Sequence, residues 1–481
     1  GVAGGYITPV EHVGTGPEAA ISGAAIDNAD AVVSIVVGGA LGVATCKLSV
    51  DGGTTWGVTG PTPENGQIAV AATGATITLA AGVHVAADTY SALVRAPIGP
   101  VSKVGTGPEI TVAGTIKGAA DVQLLIMSAG GRNEGTYQMS LDGGDSWGGI
   151  RTIPVDGLID AGTTGAVITF PAEDAVAGDT YTFQLLAPVP TVSGVLDALE
   201  TPLSLYDIEF VYVVGATDSS DWTALGVQAD TLWGLHRPTF FLAESRLPYA
   251  NETIDEWTAV LVAERQGFAH RFVAVVSAFG EISDVIGRRL TRNAAGLAAG
   301  RLLAIPVQRA LGRVRDGNIA PLSLPSLYTE AHQATLETAG YITARRYAGL
   351  SGTYWGDERT MADATSDYQY LTVLRVVFKA VRKARIAALK SMYDEAGDVF
   401  LGSGAAGLAY LQVGIENALN TLVKAIPSEM AGHQVVIPPG QDIVNNGVAV
   451  EMKLIGIPII RTIKLFASYV YAGGAFDPRL K

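Results

Sequence analysis

Four short strings recur within the first 190 residues, each displaced by 91 positions, and no other feature narrows the fold as much. Val13-Gly-Thr-Gly-Pro-Glu18 returns as Val104-Gly-Thr-Gly-Pro-Glu109, and Asp51-Gly-Gly-Thr-Thr-Trp-Gly57 as Asp142-Gly-Gly-Asp-Ser-Trp-Gly148. Asp88-Thr-Tyr90 returns as Asp179-Thr-Tyr181, and Ala96-Pro97 as Ala187-Pro188. A single offset for all four means two copies of one unit. Within each copy, Thr45–Val50 and Tyr137–Leu141 alternate apolar and polar residues and run into Asp-Gly-Gly, where glycine supplies the positive φ of a tight turn. Ala75–Leu79 and Ala166–Phe170 alternate in the same way. The pattern predicts two tandem N-terminal all-β sandwich repeats, at 13–100 and 101–190, behind an N-terminal arm or extension at 1–12. Trp56 and Trp147 are expected to cap the two cores.

The turn segment Ser49–Trp56 resembles the Asp-box hairpin of sialidases and related propellers, and Ser140–Trp147 is a looser match. A propeller repeats its blades about every 40–50 residues, at least four times. A sialidase site also grips a carboxylate with several arginines, whereas residues 1–190 hold only Arg95, Arg132 and Arg151. The resemblance therefore implies a turn-shaping element. Two readings stay open, a purely structural sandwich and a decorative β domain that touches glycans or a cell surface.

Composition narrows the function. The net charge of −14 argues against nucleic acid as a partner, since phosphate binding calls for a basic excess. The single cysteine, Cys46, rules out an internal disulfide and argues against a cysteine metal site. Only 16% of residues are charged against 48% apolar, which suggests surface reserved for partners. A membrane-spanning helix needs about 20 largely uncharged residues. The C-terminal apolar region is interrupted by Lys453, Arg461 and Lys464, so no membrane insertion is expected. The first residues lack the basic-then-apolar pattern of a signal peptide, which suits assembly in the cytoplasm.

From about 191 to 345 the pattern turns to α/β. Phe210–Val214, Thr239–Ala243 and Arg271–Val276 read as buried strands. Helical stretches at Asp221–Trp233 and Thr253–Glu264 lie between them, the second with Thr253 as N-cap and Glu256 three residues on. This order implies a mainly parallel sheet covered by helices. Gly215-Ala-Thr follows the first strand without a phosphate-binding glycine pattern, and Gly296-Leu-Ala-Ala-Gly300 reads as close helix packing. No histidine stands at metal-ligand spacing and there is no nucleophile elbow. Catalytic residues, metals and cofactors are therefore all expected to be none.

The last region, 346–481, follows a strand at Gly340–Tyr347 and opens with a turn-rich loop at Gly349–Asp357. A helix is expected from Ser366-Asp367 to about Met392, with Leu371, Leu374, Phe378, Val381 and Ala384 on one apolar stripe. Its second half is basic, with Arg375, Lys379, Arg382, Lys383, Arg385 and Lys390. That face is either solvated or a docking surface for an acidic partner. A second helix at 405–425 precedes strand-like runs at Gln434–Ile437, Val448–Leu454 and Ile459–Leu465. A terminal strand with an unpaired edge invites pairing with another chain.

Leu336–Met361, together with Ser366-Asp-Tyr-Gln-Tyr, Arg375 and Lys379, resembles contractile phage tail sheath proteins (myovirus-type, related to R-type bacteriocin and contractile injection system sheaths). Asp218–Trp222, Gly300-Arg301 and Gly312–Gly317 extend the match to about 195–481. The resemblance implies a non-enzymatic subunit polymerised as a helical tube around an inner tail tube protein, contacting baseplate and tail terminator proteins in the virion tail. It implies a C-terminal arm that enters a neighbouring copy, mapped onto Ile459, Ile460, Thr462, Ile463, Leu465, Ala467, Tyr469 and Tyr471. The N-terminal arm maps to the first residues or to Val192–Tyr206. Arg375, Lys379, Arg382, Lys383 and Lys390 are the expected tube-facing residues, with the β repeats projecting outward. The rival expectation is a glycan-binding adhesin or tail decoration protein.

Overall fold

The computed structural model describes residues 4–283, 287–398, 406–467, 469 and 472. The chain is mixed α+β and divides into two units, Gly1–Arg301 with Val314–Gln369, and Leu302–Arg313 with Tyr370–Lys481.

The first unit begins with the duplicated segment. In the first copy, one antiparallel sheet runs Tyr6–Ile7, Thr89–Arg95, Ala29–Val37, Thr45–Ser49, Gly60–Pro61, with Glu11–Val13 also on Thr89–Arg95; a second has Ala19–Gly23, Ala75–Leu79 and Gln67–Val70. The second copy repeats this order from Ser102–Val104 to Arg151–Thr152, and again from Thr111–Ala113 to Leu158–Asp160. Both sheets feed one core. Val33, Ile77 and Tyr90 share a buried cluster in the first copy, as do Leu124, Ile168 and Tyr181 in the second. Ala29–Val37 and Ala120–Ser128 bury the same alternate positions, as period-two strands on a core must. Residues 6–13, expected as an arm or extension, instead pair with Thr89–Arg95 of their own repeat.

The recurring strings are partners of one another. The Gly16 N–H donates to Asp88 Oδ2 at 2.7 Å and the Thr15 N–H to Oδ1 at 3.4 Å. Gly107 and Thr106 donate to Asp179 at 2.5 and 3.3 Å. Tyr90 and Tyr181 each donate to the carbonyl of the following proline, Pro17 or Pro108, at 2.7 Å. A Cβ on Gly14 or Gly105 would stand 2.1 or 2.0 Å from the carboxylate, so glycine is required there. The Asp-Gly-Gly turns are alike too. The Gly53 N–H donates to Ser49 Oγ and the Thr55 N–H to Asp51, both at 2.8 Å; Gly144 and Ser146 do the same to Ser140 and Asp142 at 2.9 Å. Thr55 and Ser49 hold the Asp51 carboxyl down to about 2. Because the aspartate closes the turn from within, Trp56 and Trp147 lie outside the cores, each 37% exposed, which corrects the expectation that they cap them. Lys47 sits 4.2 Å over the Trp56 ring.

Beyond residue 190, Phe210–Thr217, Phe240–Ser245 and Val273–Val276 form the expected parallel sheet, extended by an Ile342 bridge to Val276. Asp218 and Thr253 cap the covering helices Ser219–Gly234 and Ile254–Gln266 through reciprocal bonds with Asp221 and Glu256. Trp222 and Trp257, wholly buried, anchor those helices by donating to Thr217 Oγ1 at 2.8 Å and to the Arg246 carbonyl at 3.0 Å. Val192–Leu205 is a helix capped by Thr191, which removes it as an alternative extended arm. The strand expected at 340–347 is reduced to Ala344–Arg345, paired with Tyr354–Trp355.

In the second unit, helices Leu371–Ala388 and Ala406–Val423 pack with a hairpin of Gly432–Val436 and Glu451–Ile455. Ala380, Ala384, Ile415, Leu419, Met430 and Val435 form its core. The first helix starts at Leu371, later than expected. Ser366 Oγ accepts the Tyr368 N–H in a turn, and Thr360 bonds the carbonyls of Tyr368 and Gln369, so this segment is held in a non-helical path.

Asp88 links the first repeat to pH. Burial pushes its carboxyl up, but the Gly16 amide, the His12 ring and the Thr15 amide outweigh this and hold it below the usual range. A carboxyl depressed on folding adds stability above its unfolded pKa of about 4, and that stability is lost as pH falls through the folded value. Asp88→Ala should cost about 2 kcal/mol at neutral pH. It should also lose less stability than the parent chain between pH 6 and pH 3 in thermal melts; equal acid sensitivity would contradict the assignment.

Candidate assembly surface

At the C-terminal end of the second unit a run of apolar side chains stands in water. The Glu451–Ile455 strand stops at Gly456-Ile457-Pro458, and proline has no N–H to continue a ladder. Residues 456–467 carry no helix or strand. The strand expected at Ile459–Leu465 is therefore not formed within the single chain. Ile460 is 82% exposed, Ile463 74%, Leu465 90% and Phe466 93%. Thr462, Ala467 and Tyr469 are exposed as well, and Ile459 is half-buried. Tyr471 lies outside the described residues. The base of this segment is fixed, because the Arg461 guanidinium stands 3.5 Å from the Tyr370 ring centroid, a cation–π contact.

Next to it, the two strands of the hairpin pair only with each other among the described residues. Val435, Met452 and Leu454 turn toward the core, while Gln434, Val436, Glu451, Lys453 and Ile455 face water. Each strand keeps one unpaired edge, a template for an added strand.

The basic helix is less uniform than its sequence. Arg375 is buried, 4% exposed, with Nη2 3.4 Å from the Ile305 carbonyl, so it leaves the expected tube-facing set. Its position falls on the helix's core-facing side with Leu371, Leu374 and Phe378. Lys379 donates to Glu429 at 2.6 Å and Lys383 to Thr421 Oγ1 at 2.8 Å. Arg382 is half-buried, and Lys390 is exposed on a 3₁₀ turn past the helix end. Glu429, Thr421 and Ile305 could not be singled out as partners from the sequence, because they lie 38 to 70 residues away and no local spacing marks them.

Among the described residues, no group of three or more His, Cys, Asp or Glu could hold a metal ion. His270 and His332 are paired to Asp230 and Asp255 at 3.1 and 2.7 Å. No helix among them is long and apolar enough to cross a membrane.

Residues 23–359 match the family described as DUF2586, N-terminal domain, and residues 367–474 that described as DUF2586, C-terminal domain. A curated relative, the putative tail sheath protein of Haemophilus phage HP1 (strain HP1c1), is 35% identical over 112 residues. That alignment covers 21% of this chain and 30% of the relative's length. Similar solved structures include the sheath complex of the extracellular contractile injection system PVC in its contracted state, with a TM-score of 0.45, 17% identity and coverage of 63% of this chain and 78% of that one. The sheath tail protein of Desulfitobacterium hafniense gives a TM-score of 0.39 at 13% identity, covering 76% and 85%.

The contrast between the buried and exposed ends of the helix can be measured. Arg375→Glu places an unpaired carboxylate in the core and should destabilise the second unit by about 3 kcal/mol or more. Lys390→Glu should change stability by less than about 0.5 kcal/mol. Chemical denaturation of both variants tests this; equal losses would mean the helix is oriented otherwise.

Proposed function

This chain belongs to the DUF2586 family, and from that premise we propose that it is a structural subunit of a contractile tail sheath. In this reading copies polymerise as a helical tube around an inner tail tube, held by C-terminal arms that add backbone to a neighbour's hairpin sheet. Contraction of that tube drives the inner tube through a target envelope. The single observation that carries the reading is the exposed segment 459–467 beside a two-stranded sheet with open edges. The name of the curated phage relative supports it.

Several features follow physically. Pairing through main-chain bonds survives large rigid-body movement when the linking segments bend, and Gly456 stands at the root of this arm. The extended lattice is metastable, and contraction releases free energy through new lateral contacts without a nucleotide. Lys379, Arg382, Lys383 and Lys390 face the inner tube through salt-weakened contacts. The β repeats project outward. The partners are other copies, the inner tube protein, and baseplate and terminator proteins, all in the virion tail. The adhesin alternative draws no support from the family match.

Negative-stain microscopy of the purified chain should show long striated tubes. A chain ending at Pro458 should stay monomeric with an unchanged melting transition; tubes from the truncated chain, or an unfolded core, would count against arm exchange. Deletion of residues 1–190, which removes both repeats and the strands Tyr6–Ile7 and Glu11–Val13 that pair with them, should leave tubes intact. Loss of all polymerisation would show that the repeats belong to the lattice.

A further inference from the structure

The second unit contains a cavity of about 240 Å³ beside the Leu371–Ala388 helix. Val373 and Val376 of that helix, with Ile457 and Pro458 from the root of the C-terminal segment, give it apolar walls. Three polar side chains also line it, Gln308, Thr372 and Glu429. Each carries a buried oxygen without a hydrogen-bond partner among the described residues: Gln308 Oε1, Thr372 Oγ1 and Glu429 Oε2. Thr372 is only 5% exposed. A buried polar atom left unpaired costs about 1–3 kcal/mol, so three around one apolar space point to a ligand that fills the space and brings a hydrogen-bond donor.

Charge narrows the choice. Lys379 already neutralises Glu429 at 2.6 Å, and Arg461 also lines the cavity. An incoming ammonium would meet two cations. A neutral donor on an apolar body fits better, and a phenol is that group. The first unit makes this match internally, where the Tyr212 hydroxyl donates to the half-buried Glu244 carboxylate.

We propose that the cavity receives a tyrosine from a second copy of this chain, with the ring against Val373 and Val376 and the hydroxyl donating to Glu429 or Gln308. The occupant is Tyr469 of that copy, which is 82% exposed. Continuity supports a second copy: the cavity's outer wall, Gly456–Ile459, is the root of the arm, and the same arm carries Tyr469 farther on. Eight residues separate Tyr469 from Arg461, about 26 Å of extended chain, enough to carry the ring well beyond the root of its own arm. This inference rests on the sheath reading.

The test uses the full chain. Ligand-detected NMR should show p-cresol, a stand-in for the tyrosine side chain, binding on the order of tenfold more tightly than toluene. Val376→Trp, which fills the space, should abolish it. Equal binding of toluene, preference for n-butylammonium, or binding that persists in Val376→Trp would overturn the pocket's chemistry. In assembly, Tyr469→Phe should raise the concentration needed for tube formation on the order of tenfold, with unchanged melting. Tubes forming from Tyr469→Phe at the parent concentration would overturn the occupant while leaving the sheath reading standing. A parent chain that never assembles would sink the sheath reading and the second-copy occupant together, and the cresol series would still decide what the cavity binds.

Discussion

A run of apolar side chains that this chain does not bury by itself sets the terms for everything else. Ile460, Ile463, Leu465 and Phe466 stand in water with most of their surface exposed. Burying apolar surface is worth roughly 25 cal/mol per Å², so covering such side chains is a substantial driving force for association. The neighbouring hairpin offers backbone donors and acceptors with no further strand against them among the described residues. Side chains to bury, beside an edge with backbone to pair, are the two elements the proposed arm exchange would use.

Other parts of the molecule are, by contrast, closed by their own contacts. Each β repeat wraps its own aspartate in glycine amides and closes its own Asp-Gly-Gly turn. The parallel sheet is covered by capped helices and by two buried tryptophans with bonded indoles. In the second unit, Lys379 and Lys383 are tied to Glu429 and Thr421. The recurring strings of the first 190 residues thus describe a self-contained structural element, whereas Ile460, Ile463, Leu465 and Phe466 of the C-terminal segment remain exposed.

What could be read from the amino-acid order follows the range of the interactions. The repeats were legible because Gly14 with Asp88, and Ser49 with Asp51 and Thr55, are encoded as motifs whose members are near or duplicated. The Thr253 and Glu256 cap was legible because its partners are three residues apart. Helix periodicity placed Leu371, Leu374 and Phe378 on a buried stripe. The same spacing places Arg375 on that stripe, but it could not supply the partner Ile305, which belongs to a distant segment. Ser366 and Asp367 read as caps, but bonds from Thr360, eight and nine residues upstream of its partners Tyr368 and Gln369, hold that stretch in a turn. The Trp of each Asp-Gly-Gly turn read as core because tryptophan usually is buried, whereas turn geometry turns it outward. The alternation at 459–465 was legible, but a strand needs a partner, and the single chain supplies none among the described residues.

Hydrogen exchange across residues 459–467 tests the central claim most directly. In dilute monomer these amides should exchange at rates close to an unfolded peptide, and in assembled material the same amides should become strongly protected. Protection already complete in the monomer, or none in the assembled form, would contradict an arm completed by a neighbouring copy.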